Sequence, residues 1–204
     1  AYPMAITIGA LMGLARVAKN RILYNISSLY VEVVRGIPML VLLYWISFAL
    51  LPLMVNWLDE TFNTGYTMRD MSNVFQGSIA LAIGYGAYSA EIFRAGIEAI
   101  PKGQFEASEA LGLGYWRMMG DVVLPQAVRI VIPPLTNNSI NVIKDTALAS
   151  VVAMPDLLKQ APQAQALAAN PSPLIGAALI YIALLWPLVV MVSRLERRLG
   201  AGRR

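Results

Sequence analysis

The 204-residue sequence contains neither cysteine nor histidine, and only 14% of its residues are charged. Without these two residue types there are no disulfide bonds, no thiol chemistry and no thiolate or imidazole metal ligands, so we predict no metal site. The most common general acid–base side chain is also missing. The Gly-x-x-x-x-Gly-Lys-Ser/Thr motif that cradles nucleotide phosphates does not occur. We therefore predict that the chain has no catalytic residues and does not itself hydrolyse ATP.

Hydrophobic residues make up 57% of the sequence and are concentrated in long blocks. About 20 residues of α-helix cross the core of a bilayer, and the blocks approach or exceed that length. We predict an all-α membrane protein with one transmembrane domain over residues 1–204 and five transmembrane helices. The first block is short for a full span, and we interpret it as the clipped end of a helix that begins before Ala1. The predicted spans cover about residues 1–18, 29–55, 74–95, 125–153 and 173–193.

The Lys and Arg residues predict the orientation of these helices. Because cytoplasmic loops are enriched in Lys and Arg, the side that holds thirteen of the 16 is predicted to be cytoplasmic. The N-terminus of the first span then faces outward, and the C-terminus lies in the cytoplasm. The basic residues form no single stripe, which argues against a nucleic-acid partner. The thirteen are Arg16, Lys19, Arg21, Arg35, Arg94, Lys102, Arg117, Arg129, Arg194, Arg197, Arg198, Arg203 and Arg204, whereas Arg69, Lys144 and Lys159 lie on the other side.

Residues 96–124 form the longest connection on the predicted cytoplasmic side. After a turn that contains proline and glycine, residues 104–111 favour a short helix. Gly112 is expected to end that helix, and a second short helix is predicted over residues 115–123. Pro125 opens the next span, where a missing N–H costs nothing. The connection is thus predicted to be two short helices at the membrane surface, joined by a kink.

This connection resembles the signature loop of the permease subunits of ATP-binding-cassette (ABC) importers. The family pattern is Glu-Ala-Ala, three residues, Gly, nine residues, Ile, one residue and Leu-Pro. The sequence keeps that spacing, with serine and valine in place of the second alanine and the isoleucine: Glu106-Ala107-Ser108, Gly112, Val122 and Leu124-Pro125. Further stretches are similar to the subfamily that takes up polar amino acids such as histidine, glutamine, glutamate and arginine: Tyr30–Pro38, Gly86–Ile97, Leu124–Ala127, Pro133–Asn138 and Lys144–Ala149.

The resemblance implies a type I ABC importer architecture, in which a cytoplasmic coupling helix lies in a groove of a separate ATPase. It implies that the ATPase binds ATP and Mg, so that this chain is not an enzyme and holds no cofactor. The implied partners are an ATPase dimer, a second permease subunit, identical or different, a periplasmic or tethered amino-acid-binding protein, an amino-acid substrate and membrane lipid. The implied location is the bacterial cytoplasmic (inner) membrane. The residues implied in ATPase coupling are Glu106, Ala107, Ser108, Gly112, Leu124 and Pro125.

Polar residues inside the predicted spans are candidates for a substrate pathway, because such residues usually face a cavity or a partner. Asn138, Asn141 and Asp145 are spaced to form one stripe of a helix, and Asp145 is a candidate acceptor for the ammonium group of an amino acid. Counted from Pro125, Asn137 is about 18 Å along the helix, near mid-membrane, and Asp145 roughly 30 Å along, near the outer face. Asparagines also hold transmembrane helices together, and that alternative stays open. The candidate pathway residues are Asn137, Asn138, Asn141, Asp145, Tyr88 and Glu91, of which Glu91 is also a candidate ion-pair partner of Arg94 at the inner mouth.

Two other classes of membrane protein are alternatives. An ion-coupled secondary amino-acid transporter would show more spans and internal repeats. A channel subunit is the second alternative. Neither class has a need for the loop from Glu106 to Pro125.

Overall fold

The computed structural model describes residues 1–152 and 156–200 of the chain. All regular structure within those ranges is helical, which confirms the predicted all-α class. Ala153 of the predicted fourth span, and Arg203 and Arg204 of the basic C-terminus, lie outside the described residues. The α-helices are α1 (Tyr2–Val17), α2 (Arg21–Gly36), α3 (Met39–Trp45), α4 (Leu51–Phe62), α5 (Asn73–Glu98), α6 (Lys102–Ala110), α7 (Tyr115–Arg117), α8 (Leu124–Asp145), α9 (Leu157–Ala168) and α10 (Ser172–Gly200).

Three helical stretches of the described chain are long and apolar enough to cross a membrane: Met39–Phe62, Tyr115–Ser150 and Ser172–Arg194. Helix α1 is apolar but has only 16 residues. Helix α5 has 26 residues, a length of about 39 Å. Helix α5 contains more polar and small residues than the three apolar stretches. Because other helices cover its middle, it needs no continuous apolar surface toward lipid.

The predicted second span, residues 29–55, is divided in the structure into two separate helical stretches. Helix α2 ends at Gly36, and α3 begins at Met39 after Ile37 and Pro38, both of which have extended backbone. A residue before proline is pushed out of the helical region, and proline lacks the N–H that would continue the hydrogen-bond ladder. The apolar run then continues through α3, a π-helical turn at Ile46–Leu50 and α4. The spanning stretch therefore begins after Pro38, ten residues later than predicted.

Helices α1 and α5 pack against each other more extensively than any other pair in the described chain. Ala5, Gly9 and Gly13 of α1 recur every four residues and are buried. A side chain at Gly9 would overlap Cβ of Ser89 and approach the backbone N of Ala90 to 3.1 Å. Small residues at this spacing let two helix backbones approach closely within a membrane.

The connection between α4 and α5 contains a short 3₁₀ turn at Met68–Asp70. The Asp70 carboxylate accepts hydrogen bonds from the N–H and the hydroxyl of Thr67, at 2.8 and 2.9 Å. These hydrogen bonds hold the pKa of Asp70 below its usual value, because they favour the ionised form. The turn is thus capped by its own side chains at neutral pH.

The connection from α5 to α8 differs in one respect from its prediction. Helix α6 ends as predicted, with Gly112 in the left-handed region at φ +72°. The second short helix is not separate, because α7, a π-helical turn at Met118–Val123, α8 and the start of the 3₁₀ segment that follows it form one continuous 36-residue helical stretch, Tyr115–Ser150. Proline at the start of α8 does not break the stretch, since the wider π turn before it changes the hydrogen-bond register.

Helix α8 ends at Asp145 and is followed by a 3₁₀ segment, Thr146–Val152. Helix α9 then leads to α10, and the two are joined by a hydrogen bond of 3.1 Å from the Tyr181 hydroxyl to Asp156 Oδ2. Helix α10 packs against both α8 and α9. The α-helical part of the fourth span therefore stops eight residues before the predicted end.

Candidate functional site

Helix α6 presents most of its surface to solvent. Glu106, Ala107, Glu109 and Ala110 are exposed. Ser108 is 3% exposed, and its hydroxyl donates a 2.6 Å hydrogen bond to the carbonyl of Gln104 one turn earlier. Glu106 and Ala107 are therefore accessible to a partner, whereas Ser108 points toward the body of the protein.

The inward side of α6 lies on a buried apolar cluster at one end of the molecule. Phe105 packs against this cluster, as do Leu113 and Leu124. Leu124 is therefore part of the packing behind α6 and not of its exposed face, whereas Pro125 is exposed. The buried members of the cluster are Ile97, Ile100, Met118, Met119, Val123 and Ala127. The cluster thus joins α6 to the end of α5 and the beginning of α8.

A side-chain contact also connects α6 with α8. The Gln126 amide Nε2 donates to Gln104 Oε1 at 3.3 Å and to the Val122 carbonyl at 2.9 Å. The sequence distinguishes neither glutamine, since nothing in the spacing of two residues 22 positions apart indicates a contact. Leu111 and Trp116, which are 80% and 84% exposed, were also missed as parts of this surface. We call the exposed set Glu106, Ala107, Leu111, Gly112 and Trp116 the coupling surface.

Two of the predicted pathway residues on α8 contact α5. The Asn138 amide donates to the Ser89 hydroxyl at 3.3 Å in a buried position. The Tyr85 hydroxyl donates to Asp145 Oδ2 at 2.7 Å. Asn138 and Asp145 therefore connect helices, which is the alternative role that polar residues in spans often have.

The depth of Asp145 differs from the value obtained by counting from Pro125. Its partner Tyr85 lies about 18 Å from the first residue of α5 and about 20 Å from the last. Asp145 is thus level with the middle of α5 and not with its outer end. The physical reason is that α8 continues backward into residues 115–123, so that Pro125 does not mark the edge of the apolar region.

The other polar residues of α8 lie on a different face. Asn137, Asn141 and Lys144 are exposed, and their spacing of four and three residues places them on one side of the helix. We call these three residues the open polar face of α8. The predicted stripe of asparagines and aspartate is therefore divided between a face that packs against α5 and a face that the described chain leaves uncovered.

The predicted pair of Glu91 and Arg94 is present and belongs to a larger cluster. Glu91 also pairs with Arg16 of α1 and, at 3.5 Å, with Arg35 of α2. Arg94 pairs in addition with Glu98 at 2.7 Å. The cluster joins α1, α2 and α5 through one carboxylate. In the sequence, Arg16 and Arg35 indicate only the orientation of the spans, because their partner is on a distant helix.

Tyr88 lies between the charge cluster and the Tyr85–Asp145 hydrogen bond. Its ring is 5.9 Å from that of Tyr85, and the Arg35 guanidinium lies 5.5 Å from its centroid. A cation at this distance is attracted by the face of the ring. One side of α5 therefore carries a continuous row of contacts from Asp145 to Glu91.

Replacing Tyr85 with phenylalanine should destabilise the protein, because Asp145 loses the hydrogen-bond donor that it has in a region away from water. We expect a loss of about 1–3 kcal/mol in the free energy of unfolding. Thermal unfolding followed by intrinsic tryptophan fluorescence in detergent measures this loss. Tyr88→Phe is the matched control and should have a small effect, since its ring and not its hydroxyl makes the contacts described above. Equal losses in both variants would contradict the assignment.

Comparison with known proteins gives the family of the chain. The family described as "binding-protein-dependent transport system inner membrane component" matches residues 5–201. The chain belongs to this family. The family membership that the loop from Glu106 to Pro125 suggested is thereby confirmed by a match over nearly the whole chain.

Several curated members of this family are similar in sequence. A putative glutamine transport system permease protein of Rickettsia bellii is 39% identical over 157 residues, which are 76% of this chain and 66% of that protein. An inner membrane amino-acid ABC transporter permease of Escherichia coli K12 is 35% identical over 98% of this chain and 52% of its own length. An arginine transport system permease of Bacillus subtilis is 34% identical, over 98% of this chain and 85% of its own length. The chain thus spans between about half and two thirds of the first two relatives.

Solved structures of two ABC transporters contain chains with the same fold. A crystal structure described as an amino acid ABC transporter with histidines superposes with a TM-score of 0.76 and 35% sequence identity, over 97% of this chain and 88% of that one. The inward-facing methionine ABC transporter MetNI superposes with a TM-score of 0.72 over 97% of this chain and 88% of its own. At 20% identity, this second likeness concerns the fold alone. The predicted ABC importer permease architecture is confirmed.

Proposed function

We propose that this family member is the permease subunit of an ATP-driven importer that carries amino acids across the cytoplasmic membrane. The observation that carries the proposal is the attachment of the exposed helix α6 to the continuous helical stretch Tyr115–Ser150. A force on the coupling surface is transmitted through this stretch to Asp145 and the open polar face of α8. The names of the relatives, which refer to glutamine, arginine and amino acids in general, support amino acids as the substrate class.

The partners follow from this proposal. A separate ATPase dimer, which binds ATP and Mg, contacts the coupling surface on the cytoplasmic side. A second permease subunit completes the pathway, and a binding protein delivers the substrate from outside, as the family description suggests. The N-terminus of α1 then faces outward and the C-terminus is cytoplasmic. The chain itself performs no chemistry on its substrate.

The mechanism assigns a separate role to each end of α8. Closure of the ATPase dimer displaces α6, and the apolar cluster behind Phe105 passes this displacement to the first turns of α8. Because α8 is continuous from Leu124 to Asp145, its other end moves against α5 at the Tyr85–Asp145 contact. The open polar face is alternately presented to the two sides of the membrane.

Uptake into proteoliposomes tests this function. The permease is reconstituted with its ATPase and binding protein, ATP is enclosed, and labelled glutamine, arginine, glutamate and histidine are offered singly and in competition. ATP-dependent accumulation of at least one of them is the expected result. Uptake that needs an ion gradient and not ATP would instead favour a secondary transporter, and passive flux would favour a channel.

Reversing the charge of Glu106 should uncouple ATP hydrolysis from uptake. If its exposed carboxylate meets a basic groove, lysine places like charges together at the interface, which costs several kcal/mol. We expect ATP-driven uptake to fall by at least about tenfold. Co-purification with the ATPase and uptake are the two measurements.

Glu60→Lys provides the matched control for this charge reversal, because Glu60 is an exposed glutamate on α4, far along the chain from the coupling surface. It should co-purify with the ATPase as the wild type does. Normal coupling in Glu106→Lys would contradict the assignment of α6 as the point of contact.

A further inference from the structure

A groove of about 370 Å³ lies between α8 and α10. With about 3.6 residues per turn, Thr136 and Ile140 lie on the side of α8 opposite Asn138 and Asp145, which contact α5. The groove is therefore separate from the packing face of α8 and also from its open polar face. Among the residues that line it are Thr136, Ser139 and Ile140 of α8 and Leu188, Met191 and Arg194 of α10.

The walls of the groove are mainly apolar. The hydroxyls of Thr136 and Ser139 donate hydrogen bonds within α8, to the carbonyls of Ile132 at 2.7 Å and of Thr136 at 2.5 Å. Neither hydroxyl therefore offers a free donor to the groove. Water would find few hydrogen-bond partners between such walls, and empty space would forfeit their dispersion contacts. The chemistry of the walls thus suits a hydrocarbon chain.

The groove lies at the depth of the cytoplasmic leaflet in the orientation proposed above. Asp145 is level with the middle of α5 through its contact with Tyr85. Ile140 and Thr136 precede it by five and nine residues, which are about 8 and 14 Å along the helix. Half of the hydrocarbon core of a bilayer is about 15 Å thick. The groove therefore extends from the region of the acyl chains to the level at which the headgroups begin.

Two arginines lie at the headgroup end of this groove. Arg194 is its lining residue nearest to the C-terminus, and its side chain is exposed. Arg129 is also exposed and lies two turns before Thr136 on the same face of α8, about 10 Å nearer to the cytoplasm. Within the described part of the chain, neither arginine has an ion pair or a hydrogen-bond partner for its side chain. Both guanidinium groups are thus available to a phosphate, whose geometry they match.

We propose that the groove binds an anionic phospholipid of the cytoplasmic leaflet, with one acyl chain between α8 and α10 and its phosphate on Arg194. Arg129 contributes a second positive charge beyond the mouth of the groove. Basic pockets between membrane helices on the cytoplasmic side bind anionic lipid headgroups in other proteins. The lipid is a structural ligand that fills the space between two helices, and it is not the transported substrate. This inference uses the orientation given with the proposed function, but it does not depend on transport.

Native mass spectrometry of the delipidated complex of permease and ATPase tests the charge of the site. The complex is titrated with dioleoylphosphatidylglycerol and with dioleoylphosphatidylethanolamine, which share their acyl chains and differ in headgroup charge. The wild type should bind the anionic lipid more tightly. Arg194→Met should weaken that binding about five- to tenfold and remove most of the preference, because it removes one positive charge. Arg194→Lys keeps the charge and should retain most of the preference. Equal binding of the two lipids by the wild type would overturn the inference.

Ser139→Leu tests the acyl part of the site. The leucine side chain would occupy part of the groove, so we expect weaker binding of both lipids by a similar factor. Unchanged lipid binding in this variant would overturn the inference, since the chain would then lie elsewhere.

Arg21→Met is the matched control for the loss of charge. Arg21 is exposed at the start of α2, which packs against α1 and α5, and it belongs to the same predicted cytoplasmic side. This variant should bind both lipids as the wild type does. An equal loss in Arg21→Met and Arg194→Met would overturn the inference, because binding would then follow the total positive charge. Loss of the second permease subunit from the Ser139→Leu complex in the same spectra would also overturn it, since the groove would then be part of the subunit interface.

Discussion

Gly9→Ala is expected to destabilise the permease strongly, although it adds a single methyl group. The new Cβ would overlap Cβ of Ser89 and would lie 3.0 Å from the Ser89 carbonyl carbon and 3.1 Å from the Ala90 nitrogen. Two of these three atoms belong to the backbone of α5, so no side-chain rotation relieves the clash. The helices must separate, and the contacts on either side of Gly9 are lost with them.

The cost of such overpacking is about 1–3 kcal/mol when neighbours can shift, and we expect the upper end or more because backbone atoms are involved. Yield of monodisperse complex and thermal unfolding in detergent measure the effect. Gly176→Ala on α10 is the matched control, since no atom of the described residues, apart from its chain neighbours and the backbone of its own helix, lies within 4 Å of its added methyl group. It should be neutral or stabilising by up to about 1 kcal/mol, because alanine favours a helix over glycine. Similar behaviour of the two variants would show that the close approach of α1 and α5 is not what requires glycine.

Glu91→Gln is expected to have the second large effect. The Glu91 carboxylate pairs with three arginines, and the Arg16 side chain is only 9% exposed. Removing one partner of a buried ion pair leaves an uncompensated charge and costs about 3–5 kcal/mol. Neutral glutamine would leave Arg16 and Arg35 without an acidic partner among the described residues, and the attachment of α1 and α2 to α5 would weaken.

The neighbouring carboxylate provides the control for Glu91→Gln. Glu98 is 53% exposed and pairs only with Arg94, so Glu98→Gln should cost less than about 1 kcal/mol. The double variant Arg16→Met/Glu91→Gln should recover part of the lost stability, because it removes the buried charge together with its partner. Equal unfolding temperatures for Glu91→Gln and Glu98→Gln would exclude the shared carboxylate as a structural centre.

The sequence predicted the helical class, the family and the position of α6, because each is encoded locally. Long apolar blocks specify spans by their length alone. Gly112 ends α6 through its own backbone conformation, which does not depend on distant residues. The motif from Glu106 to Pro125 is a contiguous pattern and is readable without a structure.

The predicted helix boundaries were wrong where the start of a helix depends on local backbone geometry and not on composition alone. The run from Leu29 to Val55 is apolar enough to suggest one span, but Pro38 divides it. The sequence alone contains this signal, because a residue before proline disfavours the helical conformation. The extension of α8 backward to Tyr115 could not have been predicted as readily. The proline at the start of α8 suggested a break, and the π turn that precedes it has no distinct sequence signal.

The sequence by itself determined that this chain crosses a membrane, belongs to the ABC importer permeases and forms α6 in the connection before α8. Only the tertiary structure decided what its intramembrane polar residues do. Helical spacing placed Asn138, Asn141 and Asp145 on one stripe, but the neighbouring helix α5 takes the first and the last as packing partners and leaves Asn141 and Lys144 open. A side chain's role in a span depends on which helix lies opposite it, and residues sixty positions apart in sequence decide that.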